Sequence, residues 1–135
     1  MTAGVDLRWE TVCRYDRLQP ERGVAALLDP RRSDSGAVID PRRSDSGAVI
    51  DAVQVALFRT HDGAVHAIGN IDPFSGAAVL SRGIVGDRRG VPTVASPVYK
   101  QVFSLLDGRC LDDADVAVLS YPVRVVGEWL QVGLL

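Results

Sequence analysis

The sequence predicts an all-β domain, an antiparallel sandwich or barrel. Three observations predict it. Short runs rich in Val, Ile, Leu and Phe recur along the chain with turn residues between them. Asp-Gly stands between such runs twice, at Asp62-Gly63 and Asp107-Gly108. That pair is a strong hairpin signal, because glycine accepts a positive φ at no steric cost. No long segment carries the apolar period of a helix. At 135 residues and 47% apolar content, the chain has the size of one domain (1–135) with a real core.

The elements follow in order. Residues 8–13 mix apolar and polar side chains as a half-buried strand does, and 18–23 reads as a turn or brief helix. Residues 23–28 are apolar throughout. Residues 29–39 recur unchanged at 40–50, so 29–51 reads as a duplicated eleven-residue insertion forming an exposed loop or hairpin. One tandem copy is too short for a solenoid, and loop length adds only about 0.6 kcal/mol per doubling. Arg31, Arg32, Arg42 and Arg43 suggest a basic docking arm. Asp29, Asp34, Asp40, Asp45 and Asp51 more than offset them, which favours a tolerated insertion. Residues 53–59 and 64–68 read as strands around Asp62-Gly63. Residues 83–90 lack the Gly-Lys-Ser/Thr end of a phosphate loop and read as a linker. Residues 102–106 and 109–111 flank Asp107-Gly108. Residues 121–126 and 129–132 flank a Gly127-Glu128 turn.

The formal charge of −2 gives no field for nucleic acid or an anionic membrane. No apolar run approaches the ~20 residues that span a bilayer. The start, Met1 to Asp6, lacks the basic and apolar stretches of a signal peptide, so the expected location is the cytoplasm. In that setting Cys13 and Cys110 are expected as buried free thiols. His61 and His66 lie across a hairpin turn with no third ligand, so ordinary surface or core roles are expected. Asp112-Asp113-Ala114-Asp115 lacks the spacing and central glycine of a calcium loop and reads as a solvated turn. Ser75, Ser81 and Ser96 have no histidine nearby in sequence, so no catalytic residue is identified.

Two loops carry the more specific signal. Asn70-Ile71-Asp72-Pro73-Phe74-Ser75-Gly76-Ala77 resembles the first cluster loop of a Rieske iron–sulfur protein, Cys-Pro-His-x-Gly-Ala. Asp72 stands at the cysteine position and Phe74 at the histidine position. Ser96-Pro97-Val98-Tyr99-Lys100-Gln101 resembles the second, Cys-Pro-x-His-Gly-x, with Ser96 for the cysteine and Tyr99 for the histidine. A Rieske centre uses two thiolates and two imidazoles, and all four positions are changed. The resemblance implies a Rieske-like antiparallel β-sandwich or barrel, with a smaller cluster-binding-like subdomain over 70–105 that has lost its ligands. Phe74 and Tyr99 are then expected to fill the volume of the cluster, the Tyr99 hydroxyl finding a hydrogen bond. Asp72, before Pro73, is expected to cap its loop.

A wider match joins these loops. Val53–Phe58, Asn70–Ser75, Val79–Asp87, Pro92–Phe103, Gly108–Asp112 and Tyr121–Arg124 resemble the small subunits of bacterial assimilatory NAD(P)H-dependent nitrite reductases. Asp-Pro-Phe-Ser together with Ser-Arg-Gly-Ile-Val-Gly is the specific part. The resemblance implies a non-catalytic subunit without its own cofactor or metal. It also implies a large partner subunit carrying FAD, a [4Fe–4S] cluster and sirohaem, which reduces nitrite to ammonium. Lys100, the only lysine, with Arg82, Tyr99 and Phe74, is the candidate partner interface at the tip. The competing readings are a stand-alone β-domain for protein interaction, and a [2Fe–2S] ferredoxin, against which the four changed ligands argue.

Overall fold

The computed structural model describes residues 7–28 and 53–134. The insertion expected at 29–51 lies outside the described residues. Among the described residues, ten strands form three antiparallel sheets. The first contains β1 (Arg8–Arg14), β10 (Trp129–Leu134) and β9 (Val123–Val126), in the order β1-β10-β9. The second contains β2 (Arg22–Leu28), β3 (Val53–Arg59), β4 (Val65–Gly69) and β8 (Ser120–Tyr121), in that order. The third is smaller: β5 (Ile84–Arg88), β6 (Val91–Ala95) and β7 (Val102–Ser104). This is the all-β architecture that the sequence predicts.

One strand organises the packing. Val-Ala-Leu-Phe at 55–58 of β3 is buried residue after residue. Successive side chains of a strand point to opposite faces. Val55 and Leu57 therefore join Leu18, Leu28, Ala67, Leu130, Val132 and Leu134 in a core between the first two sheets. Ala56 and Phe58 join Ile68, Leu80, Val94, Phe103, Leu105 and Cys110 in a second core beneath the third sheet. A strand covered on both faces needs an unbroken apolar run rather than alternation, and β3 has one.

The turns follow their residues. Gly63 has φ +89 and its N–H donates to Thr60 C=O at 2.9 Å, closing the β3–β4 connection. Pro20 and Glu21 occupy the Gln19–Arg22 turn, with φ +63 at Glu21. The short helix anticipated near 18–23 is a single 3-10 turn slightly earlier, Tyr15–Arg17. Pro122 separates β8 from β9, since it has no N–H for a ladder.

Two expectations need correction. Residues 83–90 are no linker: β5 and β6 form a hairpin, and Arg89 and Gly90 at its turn have φ +55 and +87. Both central residues of a two-residue type I′ turn are left-handed. The strand signal is weak because β5 is largely exposed and holds Gly86, Asp87 and Arg88. Around Asp107-Gly108, only 102–104 forms a strand. The 109–111 segment is held by isolated bridges, Phe103 to Cys110 and Arg109 to Ala117.

Candidate functional site

The two loops singled out by sequence meet over the second core. The first leaves β4 at Asn70, which is buried. Its Oδ1 accepts from Ser81 N–H at 2.8 Å and its C=O from Leu80 N–H at 3.0 Å. Asn70 thus fixes where the loop starts. The loop then folds on Asp72: Asp72 N–H donates to Ala77 C=O at 2.8 Å and Gly76 N–H to Asp72 C=O at 2.7 Å. Gly76, with φ +76, permits the reversal. The second loop closes across its base, where Ser96 N–H donates to Gln101 C=O at 2.9 Å.

One bond joins the loops. The Ser96 hydroxyl donates to Asp72 Oδ2 at 2.6 Å, while Asp72 Oδ1 accepts Phe74 N–H at 2.8 Å. Asp72 is 0% exposed and Ser96 1%. The capping role anticipated for Asp72 is present. Its bond to Ser96 is not readable from sequence, because the partners are 24 residues apart. Asn70 was also missed, since a single asparagine before a loop gives no sign of burial.

The remaining candidates divide. Phe74 is half-buried against Phe103, ring centroids 6.2 Å apart and planes inclined at 55°. Tyr99 does not fill the loop interior. It is 60% exposed, and its hydroxyl has no hydrogen-bond partner among the described residues. Closure at Ser96 and Gln101 leaves Pro97, Val98, Tyr99 and Lys100 on the outside. Lys100 is exposed with φ +66. Arg82 instead shares a groove of about 490 Å³ with Glu21, Arg22 and Ile84, and Lys100 does not line it.

The donor set does not fit a Rieske cluster. The loops offer a carboxyl, a hydroxyl, a phenyl and a phenol where two thiolates and two imidazoles are required. The carboxyl and hydroxyl are already bonded to each other. Cys13 lies in β1, whereas Cys110 is buried in the second core. No group of three or more His, Cys, Asp or Glu capable of holding a metal ion occurs among the described residues.

Both histidines line a second groove of about 520 Å³, with Glu21, Thr60, Asp62 and Asp87. His61 lies in the turn and His66 on β4, as their positions suggest. Burial pushes the His66 imidazole below its usual pKa, partly opposed by Asp62. Asp62 is itself held low, first by the Thr60 hydroxyl and then by Ala64 N–H. Asp112 does more than bound a solvated turn. It accepts Val102 N–H at 2.8 Å and Arg88 at 3.1 Å, tying β7 to β5 and lowering its own pKa.

Comparison with known proteins places these features. Residues 37–133 match the family described as Rieske-like [2Fe-2S] domain. The chain is 39% identical over 119 residues to the nitrite reductase (NADH) small subunit of Escherichia coli K12, covering 87% of this chain and 90% of that protein. A crystal structure from Mycobacterium tuberculosis, provisionally described as an NADH-dependent nitrite reductase small subunit, superposes with a TM-score of 0.79. It is 49% identical, and the match covers 97% of this chain and 98% of that one. A nitrite reductase [NAD(P)H] large subunit from Klebsiella oxytoca is 37% identical over 125 residues, 93% of this chain but 11% of that protein.

Proposed function

The chain belongs to the Rieske-like [2Fe-2S] domain family, among the small subunits of NAD(P)H-dependent nitrite reductase, and we propose that it serves such an enzyme by binding rather than by catalysis. The observation that carries this reading is the Asp72–Ser96 bond. A frame built to hold a cluster between two loops holds them instead through a carboxyl and a hydroxyl. With no thiolate or imidazole there, the loops offer a preformed surface and no electron carrier.

The partner is the large subunit. The Klebsiella oxytoca relative supports this, because a similar segment occurs there within a large subunit itself. A domain covalently tied to its partner has a high effective concentration at the contact. The same domain on a separate chain must bind by its own surface. FAD, the [4Fe–4S] cluster, sirohaem and the reduction of nitrite to ammonium belong to the large subunit in this reading. The working compartment is the cytoplasm, and no helix among the described residues is long and apolar enough to cross a membrane. Exposed Tyr99 and Lys100 form the contact in this reading, with Phe74, packed on Phe103, and Arg82, in the groove with Glu21 and Arg22, as its further candidate residues.

The test is recovery of tagged protein from its own cells grown on nitrite. Co-purification of a large subunit with NAD(P)H-dependent nitrite consumption is the expected result. A lone chain with neither would overturn the proposal.

A further inference from the structure

We infer that Lys100 is a docking residue, kept in a strained backbone conformation because its ammonium meets a carboxylate on the large subunit. This rests on the small-subunit reading and assigns the contact its chemistry. Lys100 has φ +66, in the left-handed region where a Cβ crowds the backbone and glycine does not. Among the described residues, only Glu21 and Arg89 share that condition without being glycine. Their surroundings differ. Arg89 sits in a hairpin turn among Asp87, Arg88 and Gly90, and Glu21 lies between Pro20 and Arg22. Lys100 follows two exposed large side chains, Val98 (44% exposed) and Tyr99.

The charge there is uncompensated. Asp72 is the one acid in the two loops, and both its carboxyl oxygens are engaged inside. No carboxylate forms an ion pair with Lys100 among the described residues. A cation rimmed by a valine and a tyrosine fits an acidic group set in an apolar surface. The patch is also preorganised: the Ser96–Gln101 closure and the Asp72–Ser96 bond hold the loop, so docking orders little that is not already ordered. Backbone strain of this kind clusters at ligand clamps and switch regions, where the surrounding structure holds it.

The test separates stability from binding. Lys100→Gly relieves the backbone and removes the charge. It is expected to raise the melting temperature of the chain by about 3 °C while weakening binding to the purified large subunit by about tenfold. Lys100→Glu is expected to weaken binding further, and Lys100→Arg to restore most of it. Wild-type affinity should fall between about 50 and 300 mM salt, more steeply than that of Lys100→Gly. Equal affinities and equal salt dependence across the variants would overturn this inference and leave the subunit reading intact. A lower melting temperature for Lys100→Gly would overturn the strain. Failure of the wild-type chain to bind would overturn both.

Discussion

Ser96→Ala is the sharpest probe of how the two loops are held. The change removes one oxygen from a site that is 1% exposed, facing an Asp72 that is 0% exposed. The lost bond, 2.6 Å between oxygens, is at the short end of the hydroxyl range. Without it, Asp72 Oδ2 is buried with no protein donor. Leaving such a group unsatisfied costs about 2 kcal/mol, with a further fraction for the lost acceptor of Val98 N–H at 3.3 Å. For a chain of this length each kcal/mol lowers the melting temperature by about 4 °C, so a fall of about 8–10 °C is expected. Asp72→Asn should cost less, since it keeps the acceptor for Phe74 N–H and can donate to Ser96. Asp72→Ala should cost more than Ser96→Ala, because it also strands Phe74 N–H. The double variant should be less destabilised than the sum by about 1 kcal/mol or more, the mark of a shared bond. Thermal and urea unfolding measure all four, and hydrogen exchange at the Phe74 amide reports the loop itself. A Ser96→Ala melting point within about 2 °C of the parent, with additive singles, would refute the reasoning.

Other outcomes follow from single residues. His66 is held below its ordinary value of 6.5 by burial, so the unfolded chain binds its proton more readily. That contribution is fully present above pH 6.5 and is lost as pH falls below it; His66→Gln should flatten this slope in urea titrations from pH 7.5 to 5. Gly108 has φ +80, and a Cβ there would lie 2.1 Å from the Val118 carbonyl oxygen. Gly108→Ala should therefore destabilise the chain by about 2 kcal/mol or more, measured as a lower urea midpoint. Cys13 is half-buried with its thiol pKa raised, mainly by burial, and Cys110 is buried. A thiol reagent should label Cys13 slowly in the folded chain and Cys110 only after denaturant, followed by mass spectrometry.

The loop chemistry was legible residue by residue, but its geometry was not. Asp72 before Pro73 reads as a cap because that role depends on an amide two residues away, whereas the ring that Phe74 packs against, Phe103, is distant in sequence. In sequence Tyr99 is equivalent to Phe74, yet it lies outside, because loop closure three residues earlier, at Ser96, sets its direction. The sequence sets Arg82 beside Lys100 as a candidate cation; in space it shares a groove with Arg22 of β2, sixty residues away in the chain. The β5–β6 hairpin leaves little trace in the sequence because exposed strands carry little apolar pattern.

Most strand positions, the Gly63 turn and the apolar run of β3 were determined by the sequence itself, since period, glycine placement and apolar runs act over a few residues; the exposed β5–β6 hairpin and the bridged 109–111 segment were not. The changed ligand positions were equally plain, as a matter of which atoms are present. Tertiary structure alone decided that Asp72 and Ser96 bond each other, that Asn70 is buried against Ser81 and Gln54, and that Lys100 is exposed beside Val98 and Tyr99 with no ion pair among the described residues. These depend on segments brought together by β3 and the core beneath the small sheet. Distance along the chain gives no measure of distance through that core.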